Sequence, residues 1–113
     1  MSAQYDLTIN KGETFIRTFT WKDANNLPIN LTGYTARMQI REEIGDENTI
    51  VNLTTDSGIT LGAAEGTIVI TISATETSAI TAGSGVYDIE LVNGAIVTRF
   101  LEGNVVFTGE VTR

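Results

Sequence analysis

Four carboxylates crowd one short stretch of this chain: Glu42, Glu43, Asp46 and Glu47. Oxygen ligands at that density suit calcium, which takes several of them. Their spacing is not that of an EF-hand loop, and the reading we expect is a solvated acidic turn that holds no metal. Paired carboxylates elsewhere would serve glycoside hydrolysis, but that chemistry needs a cleft and aromatic platforms. The chain has eight aromatics (one Trp, three Tyr, four Phe), and most fall at inward positions. The pairs Gly62, Gly66 and Gly83, Gly85 match no phosphate-cradling loop, since no lysine follows them, so they read as turn glycines. With no cysteine and no histidine, disulfides, thiol chemistry, zinc sites and His-dependent nucleophilic catalysis are excluded. Asn30-Leu31-Thr32 and Asn52-Leu53-Thr54 fit the glycosylation acceptor pattern, which means little without a secretory signal. The expectation is a protein without catalytic residues, cofactor or small-molecule substrate.

Two residues stand out as contacts rather than chemistry. Trp21 shares a strand face with Phe15 and Phe19, which favours the core over an exposed interface. Arg17 lies on that same face and is the anomaly. A buried arginine needs a carboxylate. The alternative is a strand that twists outward, so that Arg17 meets a partner chain.

The chain has 113 residues and a net charge of −7, from 14 acidic and 7 basic side chains. That length fits one domain, residues 1–113. An acidic surface repels phosphate backbones, so no nucleic-acid partner is expected. No apolar run reaches the length of a membrane span, and MSAQYDLTIN lacks a basic segment followed by an apolar one. No membrane association is expected, and the cytoplasm of the producing cell is the expected place of synthesis.

The elements read as short strands joined by tight turns. Tyr5, Leu7 and Ile9 alternate over residues 5–9, and a second strand spans 14–21. Leu27, Ile29 and Leu31 alternate again. Tyr34, Ala36, Met38 and Ile40 face one way in YTARMQIREE. Further strands are expected at 49–55, in a short ITL segment, and in GTIVITIS. Ser73 three residues before Glu76 is a capping box and predicts a short helix over 74–82, pinned by Ile80 and closed by Gly83.

The best-specified unit is the stretch Gly85–Gly103. Asn93-Gly94 predicts a type I′ hairpin turn, because both residues accept positive φ. That turn pairs Leu91 with Ile96, Ile89 with Thr98, Tyr87 with Phe100, and Asp88 with Arg99. NVVFTGEVTR then makes a final strand, with Val105 and Phe107 on one face and a bulge or close approach at Gly109. About eight strands with turn signals at this spacing predict an all-β fold with one short helix; the spacing fits an antiparallel β-sandwich or a small barrel, and the sandwich is the expected architecture.

Four segments carry a resemblance: YDLTINKGETF, FTWKDANNLPINLTGYTARMQIR, GTIVITISATETSAITAGSGVYDIELVNG and TRFLEGNVVFTGEVTR. In content and order they resemble a family of small tailed-bacteriophage virion proteins. That family's pattern runs from YDL-x-I through F-x-W-x-D, P-I-x-L-T-G-Y and A-x-M-x-I-R to YDIEL and a terminal V-T-R. The match covers most of the chain and is poorest at the acidic stretch 42–48. The chain is also similar to the immunoglobulin-like N-terminal domain of phage baseplate upper proteins. The resemblance implies a non-enzymatic structural role in a virion, as an adaptor of tail, baseplate or neck working in symmetric copies. Its partners would be other virion proteins and copies of itself. The alternatives are a capsid decoration protein and a carbohydrate-binding module of a host-recognition fibre.

An adaptor presents edges or loops to its neighbours. The candidate edges are the first strand, 5–9, and the last, 104–112. Glu110 and Arg113 form an acid and a base that could pair across a repeated interface. The plainer alternative is that the two terminal strands simply pair with each other or with the rest of the sheet.

Overall fold

The computed structural model describes residues 3–109. Nine strands and one helix follow in order: β1 (Ala3–Gln4), β2 (Leu7–Asn10), β3 (Phe15–Thr20), β4 (Thr35–Arg41), β5 (Val51–Thr55), β6 (Gly58–Gly62), β7 (Thr67–Ile72), α1 (Ala74–Ser78), β8 (Ser84–Asn93) and β9 (Ile96–Thr108). The fold is nearly all β, as the alternating pattern predicts.

The strands form one sheet in the order β1-β9-β8-β4-β5-β6-β7-β3, with β2 beside β1 on the same side of β9. This differs from the expected antiparallel, immunoglobulin-like sandwich of two sheets. Both β1 and β2 run parallel to β9, and β5 touches β6 in parallel over two residue pairs. The sheet instead curls on itself. A kink at Asp56 (φ 66°) and Gly58 (φ 101°) turns the chain between β5 and β6, so that β6, β7 and β3 fold back over the rest.

The core lies inside the curl. Ile9, Met38, Ile40, Ile59, Ile68, Ile70, Ile72, Ile89, Leu91 and Val105 are fully buried there. Period-two alternation puts them there: Ala36, Met38 and Ile40 on β4 face inward with Tyr87, Ile89 and Leu91 on β8.

The hairpin exists, but its turn is Gly94-Ala95 and not Asn93-Gly94. Asn93 pairs with Ile96, and Leu91 with Thr98. Gly94 takes positive φ (61°) at the first loop position, where a II′ turn wants glycine. Past Glu90↔Arg99 the register shifts at a bulge, and Ile89 meets Leu101. Phe100 is the extra residue. Tyr87 therefore faces Gly103 rather than Phe100. The apolar face of β8 keeps its predicted direction because alternation within the strand fixes it, and the bulge on β9 takes up the odd residue of the shift.

What read as a hairpin arm and a separate last strand is one strand, β9. Gly103 sits in its middle because a side chain there would strike the Tyr5 carbonyl. Gly109 has open space around it and marks no close approach. At Gly103 the N-terminal chain steps from β1 to β2. The Tyr5 N–H donates to Glu102 O (2.9 Å), the Tyr87 hydroxyl donates to Tyr5 O, and the Asp6 carboxylate accepts the Asn104 N–H (3.0 Å). Asp6 thus replaces the ladder carbonyl missing at the step. Segment 27–31 forms no strand. It runs back from the Lys22↔Pro28 bridge and sends Leu31 into the core.

Ser73 caps α1, its hydroxyl accepting the Glu76 N–H (3.2 Å), as the capping box predicts. The helix ends four residues earlier than expected, at Ser78, and Ile80 is buried just beyond it. Thr77 is fully buried. Its hydroxyl accepts the Gly12 N–H (3.1 Å) and lies 2.9 Å from Glu13 O, tying the helix to the β2–β3 turn.

Candidate functional site

Of the four residues singled out as contacts, the structure places two. Arg17 lies on β3, at one end of the sheet. It is half-buried and pairs with no carboxylate among the described residues. Its guanidinium stands 5.1 Å over the Phe15 ring and donates to the Tyr5 hydroxyl (3.3 Å). A cation over an aromatic face, with a neutral acceptor, is satisfied without burying an opposite charge. Trp21 is also half-buried. It belongs to a chain of rings: Tyr5–Phe19 (5.4 Å), Phe19–Phe100 (6.4 Å), Phe100–Trp21 (5.9 Å) and Trp21–Tyr34 (5.9 Å). This chain lines the seam where the curled sheet brings β3 back toward β1 and β9. It joins segments tens of residues apart, and alternation within a strand does not say which strand lies across the seam. Glu110 and Arg113 lie outside the described residues.

The terminal strands do pair with each other. Leu7–Asn10 runs in register with Val105–Thr108. Since β8 holds the other side of β9, neither edge of that strand is open along this stretch.

The acidic stretch 42–47 is an exposed turn, with Ile44 at its tip 91% exposed. Arg41 anchors it by donating to the Asp46 carbonyl and to Gln39 Oε1 (2.8 Å). Among the described residues, no three carboxylates gather closely enough to hold a metal ion.

The convex face carries the other polar cluster. Register aligns Gln4, Glu102, Asp88, Gln39 and Asn52 in one row across β1, β9, β8, β4 and β5. A shallow groove of about 470 Å³ follows part of this row and is bordered by Arg41 and Arg99. Asp88 and Glu102 face each other directly, a like-charge pair that costs stability. Burial, chiefly, and then Glu90 and Glu102 push the Asp88 carboxyl above its ordinary range, against Arg99 and Arg37. Arg99 reaches Asp88 at 3.6 Å diagonally, so the predicted ion pair survives the change of register, while Arg37 holds Glu90 at 2.6 Å. A raised carboxyl beside a second one is the raw material of acid–base chemistry. Here Phe19, Trp21, Tyr34 and Phe100 of the ring chain pack against the core inside the curl, and none of them borders the groove. Paired acids and aromatic platforms are thus not brought together.

No family model matches the chain, and no curated protein matches it. Among solved structures, it is similar to the N-terminal domain of phage TP901-1 ORF48, with a TM-score of 0.52 at 10% identity. The match covers 92% of this chain and 85% of that one. At that identity the similarity shows a shared fold. No helix among the described residues is long and apolar enough to cross a membrane.

Proposed function

We propose that this chain is a non-enzymatic structural domain of a tailed-phage virion, an adaptor of tail, baseplate or neck. One observation carries the reading: nearly the whole chain shares its fold with an N-terminal domain of a phage protein. The resemblance of the YDL, YDIEL and neighbouring segments, in their order, to tailed-phage virion proteins supports it. The chemistry of the surface agrees. The two facing carboxylates lie on an open strand face without an aromatic platform, and the acidic turn is a solvated loop. In this reading the chain is made in the host cytoplasm, joins other virion proteins and copies of itself, and ends in the particle.

Mass spectrometry of purified virions, followed by cryo-electron microscopy of particles carrying a tagged chain, tests the reading. The chain should be present at a fixed copy number, with added density on the tail, baseplate or neck. Density spread over the shell would assign it to capsid decoration instead. Its absence from particles purified from cells that express it would refute a virion role.

A further inference from the structure

The outer edge of β3 is an unfilled place in the sheet. β3 bonds only to β7, in antiparallel register from Phe15↔Ile72 to Thr20↔Thr67. The next pair in that register bonds too, Trp21 N–H to Gly66 O at 2.8 Å. In an antiparallel ladder the bonded residues alternate. Phe15, Arg17, Phe19 and Trp21 therefore turn their backbone groups to β7, while Ile16, Thr18 and Thr20 turn theirs outward. Among the described residues no hydrogen bond reaches those outward groups. The side chains of these three residues are exposed as well, Ile16 at 61%. An edge is normally guarded by lysine, proline or a bulge. Here β3 has none of the three, and its one charge, Arg17, is drawn inward over Phe15.

We propose that this edge pairs with the same edge of a second copy, about a two-fold axis at Thr18. The proposal stands on the edge itself and does not need the virion reading. In that register Thr18 faces Thr18 of the second copy and each Ile16 faces a Thr20. About six backbone hydrogen bonds form, two for each outward residue pair. A two-fold contact asks a surface to complement itself, and this strand does. Threonine pairs well with threonine across strands. No acid lies on β3 to meet another acid, which matters in a chain of net charge −7. The two Arg17 side chains point away from the axis, each toward its own Phe15, so like charges do not collide. A register centred on Arg17 would set the two arginines opposite each other and is disfavoured.

The chain has no cysteine, so one introduced cysteine reports this contact cleanly. Directly opposed residues of a bonded pair sit about 5.5 Å apart at Cα, within disulfide range. Thr18→Cys should oxidise to a covalent dimer, whereas Thr60→Cys, exposed on the interior strand β6, should stay monomeric under the same conditions. Sedimentation of the unmodified chain should show a concentration-dependent dimer. Thr18→Pro removes only an outward N–H, and Ile16→Lys adds an outward charge. Each should weaken dimerisation at least tenfold while leaving circular dichroism and Tm close to those of the unmodified chain. Unmodified chain that stays monomeric up to millimolar concentration would overturn the proposal. So would a dimer that survives both substitutions, or Thr60→Cys cross-linking as readily as Thr18→Cys.

Discussion

Thr77 contributes a buried hydroxyl to two strangers in sequence, Gly12 and Glu13, and no local pattern announces it. Half-buried Arg17 has the Phe15 ring and the Tyr5 hydroxyl as its neighbours where a fully buried arginine would need a carboxylate. Asp88 was expected in an ion pair, and it has one, yet the facing Glu102 and partial burial leave its carboxyl raised above 3.8. The sign of the pH effect follows. Between 3.8 and the higher folded value, the folded state holds more protons than the unfolded chain. Stability is full below that window and declines as pH rises through it. Asp88→Asn should remove this decline, flattening the acidic side of the Tm–pH curve without lowering Tm at neutral pH. A lower neutral Tm would mean that the Arg99 contact outweighs the repulsion. Burial, above all, also raises the Tyr87 hydroxyl to about 12, so its contribution persists until strongly alkaline pH.

At the scale of elements, strand identity was legible and strand register was not. Alternation marks Tyr87, Ile89 and Leu91 as one face of β8 wherever the turn lies, so that face was foreseen correctly. The turn lies one residue later than Asn93-Gly94 predicts: Asn-Gly satisfies a I′ turn locally, while the pairing observed further along β8 and β9 closes the hairpin at Gly94-Ala95. The two placements make opposite claims about Asn93. Gly94→Val forces a branched side chain to φ near 61° and should cost about 1–2 kcal/mol. Asn93→Val puts a strand-favouring residue in a strand and should change stability little. Denaturant midpoints of the two variants decide between the registers. Equal losses would return the turn to Asn93-Gly94.

At the scale of the whole molecule, the curl depends on a close approach between chain segments far apart in sequence. The N-terminal chain can lie along β9 only where Gly103 leaves room for the Tyr5 carbonyl. Gly103→Val should push β1 and β2 away, at a cost of about 1–3 kcal/mol. The amides of Leu7–Asn10 should then exchange faster than those of β4, in hydrogen-exchange measurements on the folded protein. Uniform protection across both strands would show that the N-terminal strands do not depend on this contact. The same arrangement explains why no sandwich forms. One sheet that kinks at Asp56–Gly58 and folds back supplies both walls of its own core.

The sequence by itself determined the class of element, the inward face of β4, β7 and β8, the capped helix start and the lack of thiol or imidazole chemistry. Each of these follows from neighbours within a few residues, where side-chain alternation and capping act. Tertiary structure alone decided the parallel placement of β1 and β2 on β9, the bulge that turns Leu101 inward beside Phe100, the ring chain along the seam and the open edge of β3. Each of these is a contact between segments tens of residues apart. Period-two alternation says which face of a strand is buried. It says nothing about which strand lies beside it, because every strand offers the same backbone groups to any neighbour.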